Sequence, residues 1–579
     1  MSNGASPRSV PVGEIRRLGD DAVLIGVADP ESARRLVRAV EGAALDDLAE
    51  VVGGLATVLV AFDPAADGPE SQGLVLRKLV DHALGPSGAE ALPEGDATAE
   101  GDPFVIPCVF DGPDLTKVAE IAGWSPETLV DVLTDALLTV AVVGFSPGFA
   151  YLAGLPDELR RVPRRARPRP LVPAGSVALA NGYAAVYPTE SPGGWQLIGR
   201  TDVPLFTPFV APFARLAAGD RVRFARVPRG VALAPQRSTE VAVSPGDRVR
   251  PAESPTTHPV FTVEEPGVRT ILQDAGRRGV AALGVPAASP ADPSSFRLAN
   301  LLVGNPVGAG ALEITARGPT LRCVRSTFVA VVGAAPDLSV DGQPVSPGRV
   351  VPITAAQQLV VGPVRDGFRS YVAVAGGFAG PEVFQSCASD QLSQLGPGPI
   401  GQGDRLWAGA MRPPLGDHLA DGVSTGAIGG ETIILRVLPG PHPERFAPGT
   451  FASLASARFT VDAESNRIGV RLRRDPSTHA LRLAPGPAVE LDSQGMVTGA
   501  VQVPPNGEPV ILLTDHATLG GYPVAAVVAA VDHGLLGQCA PGSNVLLAPI
   551  DHGQARAARH AQRRQLEAAV VGHYPLVAG

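Results

Sequence analysis

Cysteine is scarce and scattered in these 579 residues: Cys108, Cys323, Cys387 and Cys539 form no CxxC pair. That spacing argues against a cysteine zinc site and a disulfide framework, and leaves four small buried hydrophobes. Histidine is absent between His82 and His258. Acid–base work in that stretch therefore cannot use imidazole and falls to Asp157, Glu190, Asp202 or Tyr151. No apolar run reaches the roughly 18 residues that span a bilayer, and the first twenty residues lack the apolar core of a signal peptide. A soluble cytoplasmic chain with no membrane partner is expected. The net charge of −9 offers no support for nucleic-acid binding. There is no GxxxxGK[ST] phosphate loop, no HExxH and no His/Cys cluster, so no metal site is assigned. Aromatics are only 5% of the chain.

Glycine (67) and proline (58) are abundant. Together with short apolar runs they predict turns and short strands rather than long helices. Six segments are expected: a small α+β domain (1–100), a β-barrel or sandwich (101–228), a linker (229–260), two further all-β units (261–430 and 431–555) and a C-terminal helix (556–579). Helices are predicted at PESARRLVRAVEGA, LVLRKLVDHAL, SPETLVDVLTDAL with Ser125 as cap, PSSFRLANLLV with Asp292 as cap, and PVAAVVAAV. A Gly-Asp-Arg echo in LAAGDRVRF, VSPGDRVRP and IGQGDRLWA suggests a turn entering a closing strand, or duplication of a barrel unit.

The stretch GFSPGFAYL (144–152) ends an apolar strand with glycines, proline and aromatics. Gly144, Phe145, Pro147, Gly148, Phe149 and Tyr151 form either a corner plugged by rings or the wall of a pocket. ESPGGWQLIGRT offers Ser191, Trp195 and Arg200, whose fork suits a carboxylate or phosphate; a structural hairpin with a surface arginine is the plainer reading. ILQDAGRRG places Gln273, Asp274 and Arg277 on a turn, as a site or a solvated loop. SNRIGVRL contributes Asn466 and Arg467. LDSQGMVTGAVQVPPNGEPVILLTDHATLGGYP contributes Gln494, Asp515 and His516. Asp515 and His516 are adjacent, so along an extended strand they face opposite ways.

GFSPGFAYLAGLP, VPAGSVALA and YPTESPGGWQLIGRT resemble the first subunit of the bacterial 5-oxoprolinase system, in a family that includes a sporulation-kinase inhibitor. PGVRTILQDAGRRG, ALEITARGP, VLPGPHPERF, SNRIGVRL and SQGMVTGAVQVPPNGEPVILLTDHATLGGYP resemble the second. Both are similar to the carboxyltransferase region of urea carboxylase. The resemblance covers nearly the whole chain and implies a fusion of the two components: mainly β, with an α+β N-terminal domain and tandem cyclophilin-like β-barrel domains. It implies ATP, with Mg2+, as co-substrate, 5-oxoproline or a related amide as substrate, and a separate third subunit as partner. A homo-oligomer is compatible with it. The implied roles are catalysis by Asp274, His516, Arg200 and Arg467. Binding falls to Gln273, Arg277, Asn466, Gln494, Ser191, Trp195 and the 144–151 loop as pocket wall. A carboxyltransferase using a biotin carrier in trans, since no biotin-attachment stretch lies on this chain, and a non-catalytic regulatory protein are the alternatives. Departures from the family pattern fall at polar positions. Tyr183 stands where a glutamine is usual, Leu133 or Thr134 where a histidine is usual, and Gln385–Ser389 replaces a Gly-Ser-Arg-Ser-Thr-like stretch.

Overall fold

Strand alternation builds the first unit. Ile15–Arg17, Ala22–Gly26, Thr57–Phe62 and Leu48–Gly53 form a four-stranded antiparallel sheet in that order. Val23, Ile25, Val58, Val60 and Phe62 point to one face, under the helices Pro30–Gly42 and Pro69–Leu84. Leu24 and Leu59 point the other way, as the two-residue period requires, and bury against the rest of the molecule. The first helix begins where its sequence says: Asp29 accepts the Ser32 amide at 2.7 Å, with proline at the first helical position. The computed structural model describes residues 10–63, 69–85, 102–165, 167–208, 213–228, 256–420, 432–475, 481, 483–484 and 491–571.

The second unit is a seven-stranded sheet ordered Gln196–Arg200, Ser176–Ala180, Tyr183–Val186, Ala150–Ala153, Leu138–Val143, Arg221–Arg226 and Phe104–Cys108. A bridge between Val109 and Arg200 joins its two edges and nearly closes a barrel. Helices Leu115–Ala122 and Pro126–Asp135 plug it, Ser125 capping the second through the Thr128 amide.

The third unit packs two sheets face to face. One holds seven strands between Gln343–Pro344 and Phe378–Ala379, the other five between Arg269–Gln273 and Val350–Ile353. Phe261, Leu272, Leu312, Val331 and Val372 lie between them. Helix Pro293–Leu302, capped by Asp292, covers the outer face of the five-stranded sheet. The last unit is a closed barrel, Thr432–Pro439, Val524–Val528, Ala500–Gln502, Val510–Leu512, Gly469–Arg474, Arg458–Val461 and Asn544–Pro549, the last strand returning parallel to the first. Helix His552–Glu567 follows, and Val570–Val571 pairs with His418–Leu419 of the preceding unit. The protein is thus mainly β, with tandem barrels behind an α+β domain.

One expected helix is a strand. PVAAVVAAV contains Val524–Val528, buried at every position inside the barrel wall, and only Ala530–Asp532 turns as a 3-10 helix. An apolar run with no polar side carries no period to separate the two, and valine fits the pleat. Two Gly-Asp-Arg turns enter strands, Arg221–Arg226 and Arg405–Ala408; the third lies outside the described residues. All four cysteines are buried and free. No described helix is long and apolar enough to cross a membrane.

Candidate active site at the junction of the two halves

The 144–152 corner is filled by its own rings. Gly144 donates to the Phe149 carbonyl at 3.0 Å, and Phe145 and Gly148 take left-handed φ of 76° and 73° to close the turn. Phe149 meets Phe145, Tyr151, Tyr187 and Trp195 edge-on at centroid distances of 5.2–5.5 Å. The expected pocket wall is therefore a plug, because the rings find one another before they can line a space. The plug is also a junction. Its apolar cluster takes in Leu24 and Leu59 from the α+β sheet and Met496, Leu519 and Val527 from the closed barrel. Gly148 donates to the Leu283 carbonyl at 2.9 Å, and a Cβ on Gly284 would strike the Ser146 carbonyl. Two hydroxyls near this corner, Ser146 Oγ and Thr518 Oγ1, are buried without a hydrogen-bond partner.

From Thr518 the chain leads back to a buried ionic network between the third unit and the closed barrel. Arg467, 3% exposed, donates through Nε and Nη2 to Asp515 at 3.0 and 2.9 Å and through Nη1 to Glu313. Its Nη2 also reaches the Ser289 carbonyl and Thr514 Oγ1, both at 2.9 Å. Burial alone would lower the Arg467 pKa; Asp515 and Glu313 overcome it and raise it. Burial would raise the pKa of Glu313, but Arg467 and Arg369 bring it below the usual value. Tyr371 donates to Glu313 at 2.8 Å and accepts the Asp292 amide at 2.8 Å.

Loop 383–395 continues the network. The Gln391 amide donates to Asp515 at 2.9 Å. Arg277, buried, donates to the carbonyls of Ala388 and Val383 and lies 3.4 Å from Asp390. Burial, then Asp515, push the Asp390 carboxyl up to about 6, which the Ser393 amide and Arg277 only partly offset. Asp274 accepts from Ser386 Oγ and the Cys387 amide, both at 2.7 Å, and Gln273 donates to the Ser389 carbonyl at 2.6 Å. Phe384 and Gln385 sit at φ of 54° and 59°, a left-handed pair of bulky residues held in place by this packing.

The structure thus brings Gln273, Asp274, Arg277 and Arg467 together and sets the other candidates apart. Arg200 is half exposed and pairs with Asp111 at 3.3 Å on the barrel rim. Asn466 closes its own turn on the Ile468 amide at 2.8 Å. His516 turns away from Asp515, its Nδ1 on the Ala517 carbonyl at 2.8 Å. Ser191 and Trp195 lie on and beside the strand Ser191–Gly193. Gln494 is engaged by buried His442. The Val524 amide donates to His442 Nδ1 at 3.1 Å, so the proton sits on Nε2 and faces the Gln494 side chain. Burial drives the His442 pKa down to about 3. The fold holds the neutral ring while the unfolded chain takes a proton below about 6.5, so this stability is complete above that pH and is lost as pH falls towards 3. Wild type is expected to lose about 2 kcal/mol from this group between pH 8 and 5. A His442→Gln variant should lack that slope when urea midpoints are compared across the range; an unchanged slope refutes the assignment.

Sequence reasoning missed Glu313, Arg369, Tyr371 and Asp390. Each lies inside or beside an apolar strand or a loop without a motif, and only tertiary pairing gives it meaning. Among the described residues no group of three His, Cys, Asp or Glu is placed to hold a metal ion. The guanidinium groups of Arg467 and Arg277 already face carboxylates and carbonyls.

The two halves correspond to two family models. Carboxyltransferase domain, subdomains C and D, matches 13–216, and subdomains A and B match 283–549. The chain is 33% identical over 305 residues to the 5-oxoprolinase C subunit of Escherichia coli, covering 52% of this chain and 94% of that one. It is 47% identical over 116 residues to the 5-oxoprolinase B subunit of Bacillus subtilis, 20% of this chain and 48% of that one. Urea amidolyase of Lachancea kluyveri is 30% identical over 333 residues, 53% of this chain and 18% of that one. The crystal structure of TTHA0988 superposes with a TM-score of 0.75 at 32% identity, over 92% of this chain and 100% of that one. Fold and junction define a carboxyltransferase-type protein with both halves in one polypeptide. The chain belongs to the family of the 5-oxoprolinase B and C subunits, fused in that order.

Proposed function

We propose that the chain is the fused B and C component of an ATP-dependent 5-oxoprolinase, opening 5-oxoproline to glutamate together with a separate third subunit. The supporting observation is the junction itself. Residues of both component types meet at the aromatic plug. Beside it, within the second half, lies a buried, internally paired ionic network, a frame rigid enough to hold a small polar substrate away from water. Asp274 and Arg467 act in this reading by fixing loops 383–395 and 514–518. ATP is a co-substrate of the assembled enzyme. The test is phosphate release in the presence of ATP, Mg2+ and 5-oxoproline. Release is expected only when chain and third subunit are combined; none in the full mixture overturns the reading.

The subdomain descriptions and the urea amidolyase likeness favour a second reading, carboxyl transfer from a biotin carrier supplied in trans. Under it the same mixture is silent and the chain instead accelerates loss of the carboxyl group from carboxybiotin.

A further inference from the structure

Six arginines fall within ten residues, Arg160, Arg161, Arg164, Arg165, Arg167 and Arg169, in a chain of net charge −9. Two of them converge on one carboxylate. Arg165 Nη1 and Arg169 Nη2 each lie 3.0 Å from Asp114, which also accepts the Leu197 amide at 2.7 Å. Burial alone would raise the Asp114 pKa; Arg169, that amide and Arg165 bring it below the usual value. Asp114 is therefore ionised and can neutralise only one of the two guanidinium groups.

The surroundings hold further unused groups. Arg165 Nε, Arg169 Nη1 and Ser191 Oγ are buried and without a partner, and Gln196 Oε1 accepts nothing. The backbone puts Ser191 and Arg169 on one two-stranded ribbon, with Ser191 opposite Val172, and Arg165 and Gln196 beside it. Gly193 pairs opposite Arg169, the Arg165 amide donates to the Gly194 carbonyl at 2.7 Å, and Gln196 Nε2 donates to the Pro163 carbonyl at 3.0 Å. A Cβ on Gly193 would strike the Tyr187 hydroxyl, so the corner abuts the aromatic plug. The surplus cation is half-buried and its idle donor atoms are left unmatched unless an anion joins it, and two forks with a hydroxyl match a planar carboxylate.

We propose that Arg165, Arg169 and Ser191 form a subsite for the carboxylate of a small organic acid, with Gln196 Oε1 accepting an N–H or O–H from the same molecule. The identity of the acid as 5-oxoproline rests on the function proposed above; the subsite does not. Calorimetry on the full chain, alone and with the third subunit, tests it with 5-oxoproline, glutamate, 2-pyrrolidinone and inorganic phosphate. A carboxylate is expected to bind, and 2-pyrrolidinone, which lacks one, to bind at least about 100-fold more weakly. Arg169→Gln should weaken carboxylate binding about tenfold or more, and Ser191→Ala about threefold or more, while the surface control Arg226→Gln leaves it unchanged. Should Arg169→Gln not fold, Ser191→Ala decides, since its hydroxyl makes no bond within the fold. Absence of carboxylate binding, binding of phosphate alone, or binding indifferent to both variants overturns the subsite. Carboxylate binding with this dependence, in an assembly that releases no phosphate from ATP, keeps the subsite and overturns the oxoprolinase reading.

Discussion

Arg467→Met is expected to destabilise the second half by about 3–5 kcal/mol, the usual consequence of removing one partner from a buried ion pair. Arg467 faces two buried carboxylates, Glu313 from the five-stranded sheet and Asp515 from the barrel loop. Methionine fills part of the volume but leaves both acids without their cation. Arg369 stands beside Glu313 at 3.5 Å and supplies only part of the loss. The deficit should depend on pH. Without Arg467 the burial that opposes ionisation of Glu313 is offset only by Arg369, so the variant gains stability relative to wild type as pH falls and Glu313 takes up a proton. Unfolding free energies at pH 8 and pH 5 check this: the gap between variant and wild type should be smaller at pH 5. An equal gap at both values means that the network is not ionised as described.

Phe149→Ala carries the second large effect, about 3–5 kcal/mol for emptying a buried aromatic site. Four ring contacts disappear at once, and edge-on pairs contribute beyond simple burial. The loss falls at the junction rather than inside one barrel, because the same cluster binds the α+β sheet to the closed barrel. Calorimetry should therefore show separate melting of the two halves where wild type melts together. Phe149→Leu should recover much of the loss. A variant that melts as wild type does would show that the plug does not join the halves.

Local signals in the sequence were sufficient for caps, turns and short strands. Ser125 and Asp292 cap their helices as a hydroxyl or carboxylate before proline must. Ala22–Gly26 and Thr57–Phe62 are short apolar runs between polar and turn residues, so their length marks them as strands although both faces are buried. Val524–Val528 was not legible as a strand, since its apolar run continues to Val531 and burial on both faces leaves no period to separate strand from helix. The site was legible in pieces. Glycine-flanked polar residues drew attention to Asp274, Arg277 and Arg467, and these lie in one network: Asp274 and Arg277 both hold loop 383–395, whose Gln391 amide joins the Arg467–Asp515 pair. Their partners come from far along the chain: Asp390 lies in a loop without a motif, and Glu313, although inside ALEITARGP, reads locally as one acid in an apolar strand. Arg200 looked equivalent to Arg467, yet one lies on a rim and the other in a dry seam. The difference is made by tertiary packing, which residue type does not encode.

Covalent fusion changes what the interface between the halves must achieve. Separate polypeptides must find each other by diffusion, and their assembly weakens on dilution. Here the two surfaces stay within reach at an effective concentration in the millimolar range for a short tether. The 1:1 ratio is set by translation, and a seam of modest intrinsic affinity is enough. Weakening mutations at the 144–152 corner should therefore give an opening equilibrium that does not vary with protein concentration.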